Sequence, residues 1–474
     1  MAAPELNVAD GTPTGATLPA RGGLAPARSL KQNALYAVTG MSAFYACQLA
    51  AIVLLAKFAP SYVLGQVEFS LAVATPVVLF CSLELRGAFV ADAANEFTYG
   101  TYRKLRDLMM GLAGAVLLGF AAWEALTDQN WSYTVILIGM CGSRIMLSLA
   151  EMAWGLFQRR ERLDLMAASA AQRGAAILVS YAVFVPLFAY LAQHGLISGD
   201  NGAQGAAWAI IAYVIASGAI LLLFDRRQVA AQADFDPGWT WSDVWKLARR
   251  TLPLGIALLV LHLSNSIPIY VIERQPGGMA ALGHYGALEK LTTAGNILVF
   301  QLANAAANRL SRYYQLDFSS FLSLAGKLLG VAMLLGLALV LSAALFGHFV
   351  LNALYRAEYA EFLPEFMIII LAQSLMLLTV VFGVMTTQMR LFWLQVPAQL
   401  AVLACTTIAA LLLIPSAENL VRGGAWTVLV RASVHVSLYA ACVVFGIAFR
   451  HRVLANRVNL STTPGGTEGV SQDW

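Results

Sequence analysis

Charge is what this 474-residue chain has least of. Asp, Glu, Lys and Arg make up only 12% of it, against about a quarter in an ordinary soluble domain. A chain this poor in charge and 59% hydrophobic cannot clothe a water-facing surface, which excludes a soluble enzyme. The net charge is only +4, so nothing suggests a nucleic-acid partner. Cysteine is scarce as well. Cys47, Cys81, Cys141, Cys405 and Cys442 all lie in apolar runs without CxxC spacing, and they read as small core residues. The first thirty residues lack an apolar core and are rich in Ala, Gly, Pro and Thr. They are neither a signal peptide nor a span, and a disordered tail is expected.

What the chain does have is long apolar runs. A spanning helix needs about 20 mostly apolar residues, and runs of that length recur from Asn33 to Phe449. The reading is an all-α polytopic membrane protein with twelve spans, at 34–57, 65–90, 108–126, 132–157, 171–193, 205–224, 250–272, 281–307, 325–350, 362–388, 391–414 and 423–449. The few cations alternate between loops. Arg21, Arg28 and Lys31 precede the first span, and Arg103, Lys104 and Arg106 follow the second. Arg159, Arg160 and Arg162 follow the fourth, and Arg226, Arg227, Lys246, Arg249 and Arg250 lie between the sixth and seventh. Arg309, Arg312, Arg390, Arg450, Arg452 and Arg457 continue the pattern, while the intervening loops hold few cations. By the positive-inside rule both termini are cytoplasmic.

The chain also repeats itself. "VLGQVEFSLAVATPVV" opens the second span and "ALGHYGALEKLTTAGN" the eighth, with Gly65 and Gly283 aligned at an offset of about 218 residues. Six spans per half gives the halves one orientation, a parallel repeat about an axis along the membrane normal, with substrate expected between the halves near the midplane. The organisation predicted is a tail at 1–32, a six-helix lobe at 33–224, a linker at 225–249, a second six-helix lobe at 250–449 and a tail at 450–474. The linker's Trp239, Trp241 and Trp245, with Lys246, Arg249 and Arg250, suit a segment on the inner membrane surface. They suit equally the start of the seventh helix, capped by Ser242 or Asp243.

Ionisable residues inside spans are costly and normally face a bundle interior or water. Arg144, Ser148 and Glu151 follow i, i+4, i+7 spacing on one face of the fourth span, as a structural ion pair or as a substrate-facing cation. Glu84 and Arg86 fall in the inner third of the second span in "SLELRGAFVAD". Residues two apart do not share a helix face, so they are not expected to pair, and Arg86 either snorkels or faces inward. Glu289 and Lys290 are adjacent in the eighth span, so at least one faces the interior. Arg431 and His435 share a face of the twelfth span, and His262 lies mid-way along the seventh. Gln48 and Gln373 read as interhelical hydrogen-bond partners. Four cations thus stand as inward candidates, which suits an anionic group, and the planar Arg fork suits phosphate best.

Several stretches, "LELRGAFVAD" with "YGTYRKLRDL", "GLFQRRERLDLMAASAAQRG", "LPLGIALLVLHLSNSIPIYVIE", "LGHYGALEKLTTAGNILVFQLANAAANRLSRYY", "LYRAEYAE" and "RLFWLQVP", resemble in order and spacing the bacterial polysaccharide and lipopolysaccharide flippases of the multidrug/oligosaccharidyl-lipid/polysaccharide exporter superfamily. The resemblance covers some 400 residues. It implies two six-helix lobes around a central cavity, working by alternating access in the bacterial inner membrane. It implies transport rather than catalysis, with a polyprenyl-pyrophosphate-linked oligosaccharide as substrate and polysaccharide polymerase machinery as a partner. No cofactor is implied, and a proton or sodium gradient is the candidate energy source. On this reading Arg86, Arg144, Glu151, Lys290, Arg431 and His435 are cavity candidates, and Glu84, His262 and Glu289 are coupling candidates. Arg86 would meet the pyrophosphate, and Asp92 would order the adjoining loop with Arg103 or Lys104. Relatives often carry Gln where Glu84 stands and Arg where Ile269 stands. Two competing classes are a cation-coupled drug antiporter of the same superfamily and a membrane-embedded glycan polymerase or ligase. The latter would be expected to carry a large outer loop, and the longest here is the short "NALYRAEYAEF".

Overall fold

The structure, a computed structural model, describes residues 30–92, 95–128, 130–196, 201–232, 238–292, 316–389 and 391–461, with 303, 306, 307 and 309–314. Of the tails expected at 1–32 and 450–474, residues 1–29 and 462–474 lie outside the described residues, as do 293–302 of the eighth span and Arg390, while 30–32 begin the first helix and 450–461 extend the last. Every described element is helical. Hydrocarbon offers no partner to a free backbone N–H or C=O, so apolar runs of this length must close their hydrogen bonds within themselves.

The first lobe is built from α1 (Leu30–Phe58), α2 (Ser61–Ser82), α3 (Leu85–Ala91), α4 (Tyr99–Asp128), α5 (Trp131–Arg159), α6 (Leu163–Gln193), α7 (Asn201–Ile220) and α8 (Arg226–Ala230). The second comprises α9 (Trp241–Glu273), α10 (Gly278–Thr292), α11 (Phe318–Leu354), α12 (Leu363–Gln388), α13 (Phe392–Ser416) and α14 (Leu420–Ser461). Among the described residues eleven helical stretches are long and apolar enough to cross a membrane. The expected eighth span begins with α10, and its remainder at 293–302 lies outside the described residues. Large apolar side chains such as Trp123, Leu126, Leu345 and Phe349 are exposed on the outside of the bundle, as a lipid-facing surface requires. The chain is a multi-pass helical membrane protein.

Lobe packing relies on small residues, because lipid supplies no hydrophobic drive between helices and close backbone approach must do so instead. In α1 and α6, Gly40 lies against Ala167, and Gly174 against Phe44 and Cys47. The lobes meet where α2 crosses α10 and lies along α9. At the crossing a Cβ on Gly65 would collide with the carbonyl of Met279, and a Cβ on Gly283 with that of Ser61. Met279 follows Ser61 by the same 218 residues that separate Gly283 from Gly65. The two contacts are therefore reciprocal, as a two-fold axis through the crossing demands.

Three local features differ from expectation. The second span is not one helix. Leu83 and Glu84 both have left-handed backbone (φ 51° and 50°), a conformation costing a non-glycine residue about 1–2 kcal/mol, and they separate α2 from α3. Leu83 is buried against Gly255 of α9, where a Cβ would meet Leu83 and the Phe80 carbonyl. The linker is also shorter than 225–249. α7 passes through a π-helical turn, Leu221–Asp225, into α8, and α9 begins at Trp241. Its cap is Thr240, whose hydroxyl accepts from the Asp243 N–H at 3.2 Å, rather than Ser242 or Asp243. Finally, Asp92 orders its loop without Arg103 or Lys104. Its carboxylate accepts from the Glu96 and Phe97 N–H groups and the Tyr102 hydroxyl, and its carbonyl from Arg159.

The end of the bundle bearing these arginines, called here the basic end, is clasped across the lobes. Arg250 of α9 pairs with Glu96, the Thr98 hydroxyl donates to the Gly238 carbonyl, and the Lys104 ammonium sits 4.8 Å from the Trp239 ring centroid. The linker tryptophans are thus partly engaged by a lysine of α4.

Candidate functional site

A cavity of about 380 Å³ lies inside the first lobe where it borders the second. Helices α1, α2, α5, α6 and α7 form its wall, and a single residue, Lys290 of α10, enters from the other lobe. Much of the wall is apolar, including Leu49, Ile52, Leu55, Leu71, Leu147 and Ile177. Against it stand two cations, Arg144 and Lys290, with Tyr45, Gln48 and Ser143. Lys290 lies 12 residues along α10, about 18 Å at helical rise, and Arg144 lies at a similar depth in α5. Both are near the middle of a hydrocarbon layer about 30 Å thick.

Lys290 is held by a residue the sequence reading did not single out. Its ammonium donates to Glu68 Oε2 of α2 at 2.7 Å, the carboxylate being 1% exposed and the lysine 28%. This pair bridges the lobes inward from the Gly65–Gly283 crossing, Glu68 one turn beyond Gly65 and Lys290 two turns beyond Gly283. Gly286 makes room for Glu68, since a Cβ there would collide with the glutamate side chain. The available signal was an acid within "GQVEFS", in the first turn of the second span and close to one repeat interval from Lys290.

Arg144 and Glu151 are not a pair. Arg144 makes no ion pair among the described residues, and its Nε is buried without a partner. Ser148 turns away from both and accepts from Arg106 Nη1 of α4 at 2.7 Å. Arg106 is 1% exposed. Glu151 interacts electrostatically with Arg106, Arg86, Glu84 and Arg144.

No family model matches the chain. A curated relative, the capsular polysaccharide biosynthesis protein CapF of Staphylococcus aureus, is 19% identical over 404 residues, 83% of this chain and 94% of that protein. An inward-facing multidrug resistance MATE family transporter of the MOP superfamily superposes with a TM-score of 0.66 at 12% identity, over 88% of this chain and 99% of that one. The lipid II flippase MurJ, in an inward closed conformation, superposes with a TM-score of 0.64 at 9% identity, over 89% and 93%. The chain has the MOP transporter fold.

Within the MOP fold the remaining sequence candidates divide among separate places. Arg86 does not line the cavity. α3 carries it to the basic end of α5, where it donates to Gln158 Oε1 at 3.1 Å and lies 5.8 Å from the Trp154 ring centroid. Glu84 is exposed at the α2–α3 break. His262 is half-buried on α9 and interacts electrostatically with Arg144 across the lobe boundary. Glu289 is half-buried beside Lys290, with which it also interacts electrostatically. Gln48 faces the cavity and bridges no helices. Arg431 and His435 are both buried on α14. His435 lines a second cavity, of about 400 Å³, in the second lobe, while Arg431, one turn earlier on α14, is not in its lining, interacts electrostatically with His435 and has Nε and Nη1 unpartnered among the described residues. The structure therefore brings Arg144 and Lys290 together and keeps Arg86 and Arg431 apart from them.

A fully buried ion pair also escaped the sequence reading. Arg173 of α6 donates to Asp225 Oδ2 at 2.5 Å and to the Ser217 hydroxyl and carbonyl at 2.8 and 3.0 Å. Asp225 closes the π-helical turn after α7. The pair lies off the cavity, and its role is to fix α7 on α6. Among the described residues no cluster of His, Cys, Asp or Glu could hold a metal ion.

Proposed function

We propose that this protein is a flippase that moves a polyprenyl-pyrophosphate-linked oligosaccharide from the cytoplasmic to the outer leaflet of a bacterial inner membrane by alternating access. The observation that carries the proposal is the pairing of Arg144 and Lys290 with an apolar wall in one cavity near mid-membrane. A pyrophosphate needs separated cations, and Arg144, which makes no ion pair among the described residues, has a planar fork suited to two parallel hydrogen bonds. The apolar wall suits the first isoprene units attached to that headgroup. Similarity to a capsular polysaccharide protein and to a lipid II flippase supports a lipid-linked substrate, and the MOP fold supports rocking of two lobes. The basic end is cytoplasmic on this reading, because the loop cations gather there.

Glu68 is the coupling element. While it holds Lys290, the lobes stay locked beside the Gly65–Gly283 crossing on the outer side. A diphosphate arriving at Arg144 competes for the same ammonium, frees it from Glu68 and releases the lock. A cationic drug would gain nothing from this cavity, since its one buried carboxylate neighbour is already engaged by Lys290.

The test is surface polysaccharide measured against the amount of inserted protein. Arg144→Gln is expected to insert normally and abolish export. Arg144→Lys is expected to keep part of it, since an ammonium retains the charge and loses the fork. Normal export by a well-inserted Arg144→Gln protein refutes the assignment.

A further inference from the structure

The second lobe's cavity differs in chemistry from the first. It is walled by α12, α13 and α14 with Leu261 of α9, and none of its lining residues is Asp, Glu, Lys or Arg. What it presents are neutral hydrogen-bonding groups: Thr379, Thr387, Gln388, Gln395, His435 and Tyr439.

The network around Gln395 fixes which of its atoms is available. The Thr386 and Thr387 hydroxyls each donate to the Gly383 carbonyl at 2.9 Å. Their lone pairs then accept from Gln395 Nε2 at 3.0 and 3.1 Å. Both hydroxyl protons are committed, so the atom facing them must be the amide nitrogen, which leaves Gln395 Oε1 free to accept. His435 is 6% exposed, yet its ring nitrogens meet no protein donor or acceptor among the described residues. The imidazole lies on the wall and packs edge-on to Tyr439, centroids 4.8 Å apart. The Tyr439 hydroxyl and the Gln388 amide also lack protein partners among the described residues. His435 is buried and Gln388, Gln395 and Tyr439 are half-buried on the same wall, so four groups with unmatched hydrogen-bonding capacity open onto one cavity, where a ligand or water can supply the missing bonds.

We infer that this cavity is a sugar subsite that binds the uncharged hydroxyls of the oligosaccharide while the first lobe's cavity holds the pyrophosphate. The inference rests on the flippase reading above. A pyranose hydroxyl both donates and accepts, matching groups that do one or the other without charge, and the Tyr439 and His435 rings offer flat faces for its C–H groups. No Lys or Arg lines the wall, which disfavours an anion, while Leu261, Met376, Val380 and Val384 supply apolar surface beside the polar groups. The volume, about 400 Å³, falls in the usual range of roughly 300–1,000 Å³ for small-ligand sites and takes a few sugar rings, not a long chain.

The experiment uses the full chain in lipid nanodiscs and measures affinity for three probes: a polyprenyl pyrophosphate, the same lipid bearing a neutral disaccharide, and a panel of free neutral disaccharides. The wild-type protein should bind the sugar-bearing lipid about tenfold or more tighter than the bare lipid, as one or two extra hydrogen bonds imply. Gln395→Leu and His435→Phe should each cut that advantage several-fold and leave bare-lipid affinity unchanged. Arg144→Gln should weaken both lipids and spare the free disaccharides. Equal affinity for the two lipids in the wild type overturns the subsite, and so does a loss in Gln395→Leu and His435→Phe that is the same for both lipids. Should neither lipid bind while free disaccharides bind and Gln395→Leu abolishes it, the pyrophosphate reading falls and the sugar subsite stands. Binding of no probe overturns both.

Discussion

The pair between Glu68 and Lys290 makes an unequal prediction for its two halves. Removing one partner of a buried ion pair leaves the other charge stranded, at about 3–5 kcal/mol. The two stranded charges here differ. In Lys290→Met the carboxylate left behind is 1% exposed, with no water to turn to, so the full cost applies. In Glu68→Gln the ammonium left behind is 28% exposed on the wall of a cavity, where water solvates it. The expected cost is nearer about 1.5 kcal/mol, the net worth of one charged hydrogen bond at a partly wet site. The double variant strands nothing and should return to within about 1 kcal/mol of the parent. The assay is the thermal midpoint of the purified protein in detergent at neutral pH, ranked as parent, double variant, Glu68→Gln, Lys290→Met. Export measured beside it separates structure from binding, since the double variant should be stable yet inactive if Lys290 holds the pyrophosphate. Equal losses from the two single variants, or a double variant as labile as Lys290→Met, would refute the reasoning.

Asp225→Asn and Arg173→Met should each lower the midpoint about as much as Lys290→Met, because both side chains are 0–1% exposed and the stranded partner costs about 3–5 kcal/mol; unaltered midpoints would remove the pair's structural role. Gly65→Leu and Gly283→Leu should give equivalent defects in export, since each would drive a side chain into the other helix's carbonyl; a harmless Gly283→Leu beside a damaging Gly65→Leu would break the reciprocity. Asp317 caps α11, and the Ser320 hydroxyl and N–H hold its carboxyl below the usual range. A depressed folded-state pKa stabilises above the unfolded value and loses that stabilisation as pH falls through the folded one. Acidification below about pH 4 should therefore fray the start of α11, seen as faster amide exchange at 318–321, and Asp317→Ala should show the faster exchange already at neutral pH.

The span pattern was legible because hydrophobic length is a one-dimensional property, and the pairing of Gly65 with Gly283 was legible because a close backbone crossing tolerates only the smallest residue in both copies. Side-chain partnerships were not, because they cross between spans distant in sequence. Arg144 and Glu151 share a helix face, yet Arg106 from α4 takes the serine between them. Arg86 could not be placed without knowing that the helix breaks at Leu83 and Glu84, and neither residue type announces a left-handed backbone. Glu68 was hidden by its position near the start of a span, where an acid ordinarily meets water.

The repeat explains why the site is lopsided. The backbone crossing repeats at 218 residues, but the chemistry around it does not: Gly286 stands where Glu68 does, and Ala72 where Lys290 does. A second carboxylate at position 286 would have had no room against the first. The two-fold axis can therefore pass through the glycines only if the charges on either side of it are complementary rather than equal, an acid from one lobe and a base from the other. The same division continues outward, with cations in the first lobe's cavity and neutral donors and acceptors in the second's. On the proposed function, symmetry of the scaffold would let two lobes rock about one crossing, and asymmetry of the side chains suits a substrate whose own two ends, diphosphate and sugar, are chemically unlike.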